Sequence, residues 1–359
     1  MLYIDGSYNE GGGQILRTAL ALSTLTGTPF EMQHIRKGRK DSGLKNQHLH
    51  CIKVLQKYCN AKIGHAILGS NKILFIPGKI KGGKVEIDIG TAGSITLMLQ
   101  SLLLPALFAD KKTIFKIKGG TDVSWSPQID YLNNVILPHL TKYAEIELRI
   151  IKRGYYPKGG GEIEIKIRPK HQLSNYSNFL ELIDDFRINK PQFDLLNQGQ
   201  LLQIKGISHA SQDLENARVA ERQANSARLE LAKLDAPINI HTEYCETLSQ
   251  GSGLTLWARF SLKQETDFDN PILLGADMLG TKGKSSENIG EECAQKLISE
   301  IKSQAPVDEY LADNLLPFLA INGGSIKTSK ITPHTQTNMW VIEQFLGKMF
   351  KVEGNVIKV

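Results

Sequence analysis

Apolar positions along the chain follow two periods in alternation. Short runs with every second residue apolar, or wholly apolar, predict strands at 2–4, 30–35, 72–76, 84–89, 113–118 and 162–167. Longer stretches with apolar residues three and four apart predict helices at 14–26, 46–59, 95–108 and 127–143. Glycine-rich turns separate them: Gly11-Gly12-Gly13 precedes the first helix, Gly90-Thr91-Ala92-Gly93-Ser94 the third, and Gly119-Gly120-Thr121-Asp122 the fourth. Strand, glycine turn and helix thus recur at a spacing of roughly 80 to 90 residues, the mark of a repeated supersecondary unit. The same order returns late in the chain, with helices over 290–302 and 307–319, a strand over 325–329 and a helix over 337–345. Such alternation predicts an α/β (α+β) fold.

The character changes between 169 and 277. Residues 172–200 are rich in Asn, Gln, Asp and Ser and read as a linker or irregular edge. A strand at 201–207, a helix at 213–234 and strands at 238–244 and 254–261 then form a self-contained βαββ set. The expected organisation is a large domain over 1–183 and 278–359, interrupted by a smaller α/β domain over 184–277.

Composition narrows the classes. The longest apolar run, 95–109, is broken by Gln100 and Ser101 and falls short of the ~18 residues of a membrane helix. The first residues run directly into a strand pattern with no resemblance to a signal peptide, so a cytoplasmic location without membrane contact is expected. Four scattered cysteines, without CxxC pairing, argue against disulfides and a zinc site, and Cys51 and Cys59 share one helix face as core residues would. Net charge is +6, but the distribution says more: seven basic residues (Arg36, Lys37, Arg39, Lys40, Lys45, Lys53, Lys57) face one acid, Asp41, between 34 and 57. That stretch is either a solvated basic face or a phosphate-binding edge.

The turn Gly11–Gly13 before a helix suits an anion, because bare backbone amides and the helix N-terminus both favour negative charge. It lacks the lysine and hydroxyl of a Walker A loop and is not GxGxxG. Glu10, just before it, is either a metal ligand or a surface acid; Arg17, one turn into the helix, reaches the same mouth or simply belongs to an amphipathic face.

The most unusual stretch is Arg153-Gly154-Tyr155-Tyr156-Pro157-Lys158-Gly159-Gly160-Gly161-Glu162, whose glycines require a backbone bare on both sides, for packing or for a ligand. It resembles the signature of the RNA 3′-terminal phosphate cyclase family, Arg-Gly-x-x-Pro-x-Gly-Gly-Gly followed by a strand. The resemblance covers nearly the whole chain. It includes Asp5-Gly6, the run from Glu10 to Arg17, Ile35-Arg36-x-Gly38-Arg39, Gly43-Leu44 with Gln47-His48, and Gly90-x-Ala-Gly-Ser94 with Gln100. Gly119–Asp122, Glu309–Asp313 and His334-x-x-Thr337-Asn338 complete it, whereas the insert matches only loosely.

The resemblance implies a large domain of units like the C-terminal domain of translation initiation factor 3, carrying a smaller insert of thioredoxin-like topology. It also implies three steps: ATP adenylylates a histidine, AMP passes to an RNA 3′-phosphate, and the vicinal 2′-OH closes the ring. His334 is the implied nucleophile, with His48 the runner-up among nine histidines. Arg17, Arg36 and Arg39 would clamp phosphate oxygens, and Glu10 would hold Mg²⁺ or Mn²⁺. Gln47, Gln100, Pro127, Tyr131, Tyr310, Asp313 and Asn314 would line the nucleotide pocket, with Asn314 standing where some relatives carry Gln. The implied partners are ATP and RNA with a 3′-phosphate; the oligomeric state stays open, a homodimer included. Three alternatives compete. A non-catalytic ribosome-assembly relative would lack the histidine and arginines found here. An enolpyruvyl-transferase-like enzyme shares repeated α/β units but not the glycine signature. A generic RNA-binding module fits poorly with 7% aromatic residues and no RNP-type motif.

Overall fold

The computed structural model describes residues 1–263 and 267–359. Its first unit runs β1 (Leu2–Asp5), α1 (Gly13–Thr26), β2 (Phe30–Gln33), α2 (Asn46–Cys59), β3 (Lys62–Gly64) and β4 (Ile73–Ile76). The second begins with β5 (Lys84–Asp88), α3 (Ile95–Ala106) and β6 (Thr113–Gly119). It continues through α4 (Ile129–Tyr131), a π-helical turn (Leu132–Ile136), α5 (Leu137–Leu140), β7 (Ala144–Lys152) and β8 (Gly161–Pro169). Next come α6 (Phe179–Asn189) and β9 (Phe193–Leu195), then β10 (Gln200–Ser211), α7 (Val219–Leu231), β11 (Ile238–Cys245), β12 (Ser252–Ser261), β13 (Ile272–Leu279) and α8 (Ser286–Lys302). The chain ends with α9 (Glu309–Asn322), β14 (Gly324–Lys327), α10 (Pro333–Leu346), β15 (Lys351–Glu353) and β16 (Val356–Lys358).

Three of the four sheets share one plan. Their orders are β1-β2-β4-β3, β5-β6-β8-β7 and, read from the other edge, β9-β14-β16-β15. In each, the first pair is parallel and the next two are antiparallel. Each unit is therefore βαβαββ, because a parallel pair needs a crossover helix whereas an antiparallel pair closes with a short turn. The fold is the expected α/β class, with three copies of the unit. The fourth sheet, β11-β10-β12-β13, has one parallel pair followed by antiparallel ones and carries α7 and α8, in keeping with the thioredoxin-like expectation.

Several elements differ from the sequence reading. The stretch 172–200 contains α6 and β9. α6 buries Phe179, Leu182, Ile183 and Phe186 at helical spacing, and its N-cap Asn178 accepts from the amides of Leu180 and Glu181. The abundance of Asn and Asp hid that stripe. β9 pairs with β14, so residues just before 195 join the C-terminal unit, while α8 packs on α7 beside the fourth sheet. The helix expected at 127–143 is broken by the π turn ahead of Pro138, which has no N–H to donate and whose ring crowds the preceding turn. The last long helix begins at Pro333, not Thr337, with Thr332 as its N-cap.

α1 is buried on nearly every face and packs against α3 and α10, which makes it the common core of the three units. Cys51 and Cys59 are buried in that core, as their shared face predicts.

The glycine signature lies between β7 and β8, where it joins the second unit to the fourth sheet. A Cβ on Gly154 would lie 2.2 Å from the amide nitrogen of Gly161, so packing, not a ligand, demands the bare backbone there. Arg153 is buried beside three carboxylates: Asp122 at 3.1 Å, Asp130 at 2.7 Å and Glu243, on β11, at 2.5 Å. The Tyr155 hydroxyl lies 2.7 Å from Nδ1 of buried His209 on β10, and His209 Nε2 lies 2.8 Å from Gln128 Oε1. Since that amide oxygen only accepts, Nε2 carries a proton, and burial, then Arg153, drives the pKa of the ring down to about 3, which keeps it neutral.

Removing one partner of such a network leaves buried charge uncompensated. Arg153→Met should destabilise the protein by about 3–5 kcal/mol. The loss should deepen as pH rises from 5 to 8, because the abandoned carboxylates must then ionise in a dry site. Urea unfolding across that pH range checks this; a pH-independent loss would contradict it.

Candidate active site

The N-termini of six repeat helices, α1, α2, α3, α4, α9 and α10, open onto one cleft of about 860 Å³. α1 contributes Gly13, Gln14 and Arg17, and α2 contributes Gln47 and His48 with Lys45 at its cap. Leu97 and Gln100 come from α3, and Tyr131 from α4 with Pro127 just before it. Tyr310, Asp313 and Asn314 come from α9, and His334 and Asn338 from α10. Glu10, Arg36 and Arg39 complete the wall from loops. All twelve residues singled out from the sequence are thus brought to one place. None of α1, α2, α3 and α10 carries an acidic residue in its first turn, so their positive dipole ends face the cleft uncompensated.

His334 occupies the first turn of α10, with its side chain 51% exposed. Its helix end is tied down from the first unit. Gln14 donates to the His334 carbonyl at 3.0 Å, and Asn9 donates to the Pro333 carbonyl at 3.0 Å and to Thr337 Oγ1 at 3.1 Å. Thr18 Oγ1 donates to Asn338 Oδ1, and the Asn338 amide donates to the Asp313 carbonyl. Chain ends over 300 residues apart thereby form one rigid rim.

Glu10 Oε2 lies 2.9 Å from His334 Nδ1 and 3.9 Å from Arg39 Nη2. That oxygen is buried and makes no hydrogen bond among the described residues. A carboxylate oxygen without a hydrogen bond in the wall of this cleft suits a hard divalent cation, which would take the rest of its shell from substrate and water.

The cations are equally unsatisfied. Arg17 donates Nε to Gln100 Oε1 at 3.0 Å and has no carboxylate partner among the described residues. Burial brings its guanidinium down to about 10, still charged at neutral pH. Gln100 in turn donates to Asn314 Oδ1 at 3.3 Å, and Asn314 to the Tyr310 carbonyl at 2.8 Å, which fixes the Arg17 fork. Arg36 has a left-handed backbone, and its buried Nη1 has no hydrogen-bond partner; burial and then Arg39 lower its pKa. Cations left unpaired at helix N-termini form a site for a polyanion.

His48, the second histidine candidate, is buried, and its Nδ1 accepts from the Lys45 amide at 3.1 Å. Burial, followed by repulsion from Arg17, Arg36 and Lys45, pushes its pKa down to about 3. Its free proton therefore sits on Nε2, packed so close to Gly13 that a Cβ there would lie 2.2 Å away. This ring positions the α1 turn and has no lone pair to offer the cleft.

Tyr131 donates its hydroxyl to Asp308, the buried N-cap of α9, at 2.6 Å, and stands edge-on to the half-exposed Tyr310 with ring centroids 6.5 Å apart. Gln47 makes only a long contact, 3.5 Å, to the Ser94 carbonyl. Sequence reasoning assigned no site role to six lining residues: Gln14, Asn338, Leu97, Ser126, Asp277 and Trp125. The first two lie in quoted motifs and were legible there. Asp277 reaches the cleft only through tertiary packing, with one oxygen accepting from the Gln128 amide at 2.7 Å. Trp125 was legible as an aromatic in a glycine-turn loop.

Asp313 accepts from Thr335 Oγ1 at 2.7 Å, yet burial, with Glu309 and Glu10 adding to it, pushes its pKa up to about 7. An acid raised in the folded state binds a proton that the unfolded chain has released, so its contribution to stability is lost as pH rises from about 4 to about 7. Asp313→Asn should remove that loss. Measured by denaturant midpoint, the variant should gain on the parent chain by on the order of 1–2 kcal/mol between pH 4.5 and 7.5. A gap that stays constant with pH would contradict it.

A model of the family "RNA 3'-terminal phosphate cyclase" matches residues 8–352. A protein of that name from Pyrococcus furiosus is 47% identical over 357 residues, 99% of this chain and 96% of the relative. Namesakes from Pyrococcus abyssi and Archaeoglobus fulgidus are 45% and 42% identical, covering 100% and 99% of this chain and 97% and 99% of the relatives. With its cleft geometry and its match over nearly the full length, the chain belongs to the RNA 3′-terminal phosphate cyclase family.

Proposed function

We propose that this enzyme uses ATP to convert an RNA 3′-terminal phosphate into a 2′,3′-cyclic phosphate through an adenylylated His334. The observation that carries the reading is the juxtaposition of an accessible imidazole, a carboxylate oxygen without a hydrogen bond 2.9 Å away and three cleft arginines, one with a buried nitrogen left unbonded, all around converging helix N-termini.

A phosphate monoester dianion is a poor electrophile, because its own oxygens leave badly. Joining AMP to it creates an anhydride with a good leaving group. Glu10 beside Nδ1 orients the ring, which leaves Nε2 to attack the α-phosphorus of ATP as the bond to diphosphate breaks. An oxygen of the RNA 3′-phosphate then attacks the same phosphorus, and the P–N bond to His334 breaks to leave RNA-(3′)pp(5′)A. Last, the 2′-OH loses its proton and attacks the 3′-phosphorus, expelling AMP. That nucleophile is already adjacent, so proximity supplies much of the rate.

Arg17, Arg36 and Arg39 serve by neutralising phosphate oxygens as charge moves onto them, in a site where they need no reorganisation. Tyr310, backed by the buried Tyr131, and Pro127 offer apolar faces for the adenine, while Gln47, Gln100, Asp313 and Asn314 supply polar groups around it. Glu10 is the residue that would hold Mg²⁺ or Mn²⁺, which supplies charge neutralisation at the phosphates when bound.

His334→Ala should abolish transfer of label from [α-³²P]ATP to the protein; acid-labile, base-stable label retained on that variant would sink the assignment. Arg39→Ala should lower the cyclisation rate at least tenfold while shifting the unfolding midpoint by less than ~0.5 kcal/mol, since its side chain is exposed. Phosphatase resistance of a 3′-phosphorylated oligonucleotide reports the rate, and parental turnover would remove Arg39 from the clamp.

A further inference from the structure

The proposed reaction needs two nucleosides in the cleft at once, the AMP carried by His334 and the last nucleotide of the RNA. Tyr310, held by the buried Tyr131, and Pro127 provide faces for one base. The other exposed aromatic ring lining the cleft is Trp125, in the loop between β6 and α4. We propose that Trp125 is the platform on which the base of the RNA 3′-terminal nucleotide stacks. This rests on the reading of the cleft as a cyclase site and adds the placement of its second substrate.

Trp125 is 97% exposed, and no hydrogen bond or ring contact to it is present among the described residues. Its φ of 68° is left-handed, a conformation that a bulky residue rarely adopts and that concentrates at functional sites. Neither burial nor hydrogen bonding accounts for an indole held in this way. The loop itself is pinned on both sides of it. The Asp122 carboxylate accepts from Arg153, Ser126 Oγ donates to the Val123 carbonyl at 3.0 Å, and the Gln128 amide donates to Asp277. The ring is therefore presented from an anchored frame.

Arg36 and Arg39 line the same cleft, so guanidinium groups for the phosphate and an indole for the base are both available to an RNA end bound there. Stacking accepts any base, because every base has a π-face. That suits an enzyme whose reaction requires only a 3′-phosphate and a 2′-OH of its substrate.

The test compares Trp125→Ala and Trp125→Phe on two 3′-phosphorylated oligoribonucleotides, one ordinary and one with an abasic terminal nucleotide. Binding is read by anisotropy of a 5′-fluorophore without ATP, and cyclisation by phosphatase resistance. Trp125→Ala should weaken binding and raise KM of the ordinary oligonucleotide about tenfold or more. It should change those of the abasic one less than twofold, and Trp125→Phe should recover most of the loss. Equal effects on both oligonucleotides, or none on either, would overturn the proposal, as would loss of label transfer from [α-³²P]ATP without any change in RNA binding. Should the parent chain itself take no label from ATP, the cyclase mechanism fails, while the binding arm still decides whether the indole holds an RNA end.

Discussion

The convergence of six helix N-termini on one cleft is the constraint from which the rest of the structure follows. It is a consequence of repetition. Each βαβαββ unit sends two helices back over its sheet in the same sense, and packing the three units about α1 turns those helix starts toward a common centre. The result is a concentration of unfilled amides and aligned dipoles, to which Arg17, Arg36 and Arg39 add whole charges. An anion entering the cleft would meet these donors and charges already in place.

That arrangement carries a standing cost, visible in the side chains left without partners. Glu10 Oε2 and Arg36 Nη1 are buried without hydrogen bonds, and Arg17 is desolvated without a carboxylate. A core selected only for stability would satisfy or remove such groups. Where the chain needs rigidity instead, buried charges are paired with opposite charges, although Asp122 Oδ1 is left without a hydrogen bond. Arg153 is ringed by three carboxylates, and Asp308 caps α9 while accepting from the Tyr131 hydroxyl and the Gly275 amide. These two networks hold the fourth sheet against the second and third units, so the cleft wall that includes Asp277 keeps its shape.

The glycine signature shows how a motif can identify a family without lying at its chemistry. Its residues lie beside the fourth sheet, where Gly154 and Gly161 meet each other's backbone, Gly159 meets that of Thr91 and Ala92, and Gly160 meets the Leu248 side chain too closely for a Cβ, whereas the cleft's charged atoms without hydrogen bonds, Glu10 Oε2 and Arg36 Nη1, lie at the Gly11–Gly13 turn and in the basic loop.

The alternation of periods, the glycine turns and the repeat spacing by themselves determined the fold class, the presence of recurring units and a distinct set of strands after residue 200. The residues of the cleft were legible because they occupy recognisable blocks. Local pattern did not reveal α6, where polar residues surround a four-residue apolar stripe, or β9, too short to alternate and held only by pairing with β14. Nor did it reveal that Asp277 would reach the cleft, or which histidine would offer a lone pair. Those outcomes depend on burial and on the direction of hydrogen bonds between residues far apart in sequence. His48 and His334 are the same side chain, and only their surroundings, one ring packed against Gly13 and the other open beside Glu10, give them different chemistry.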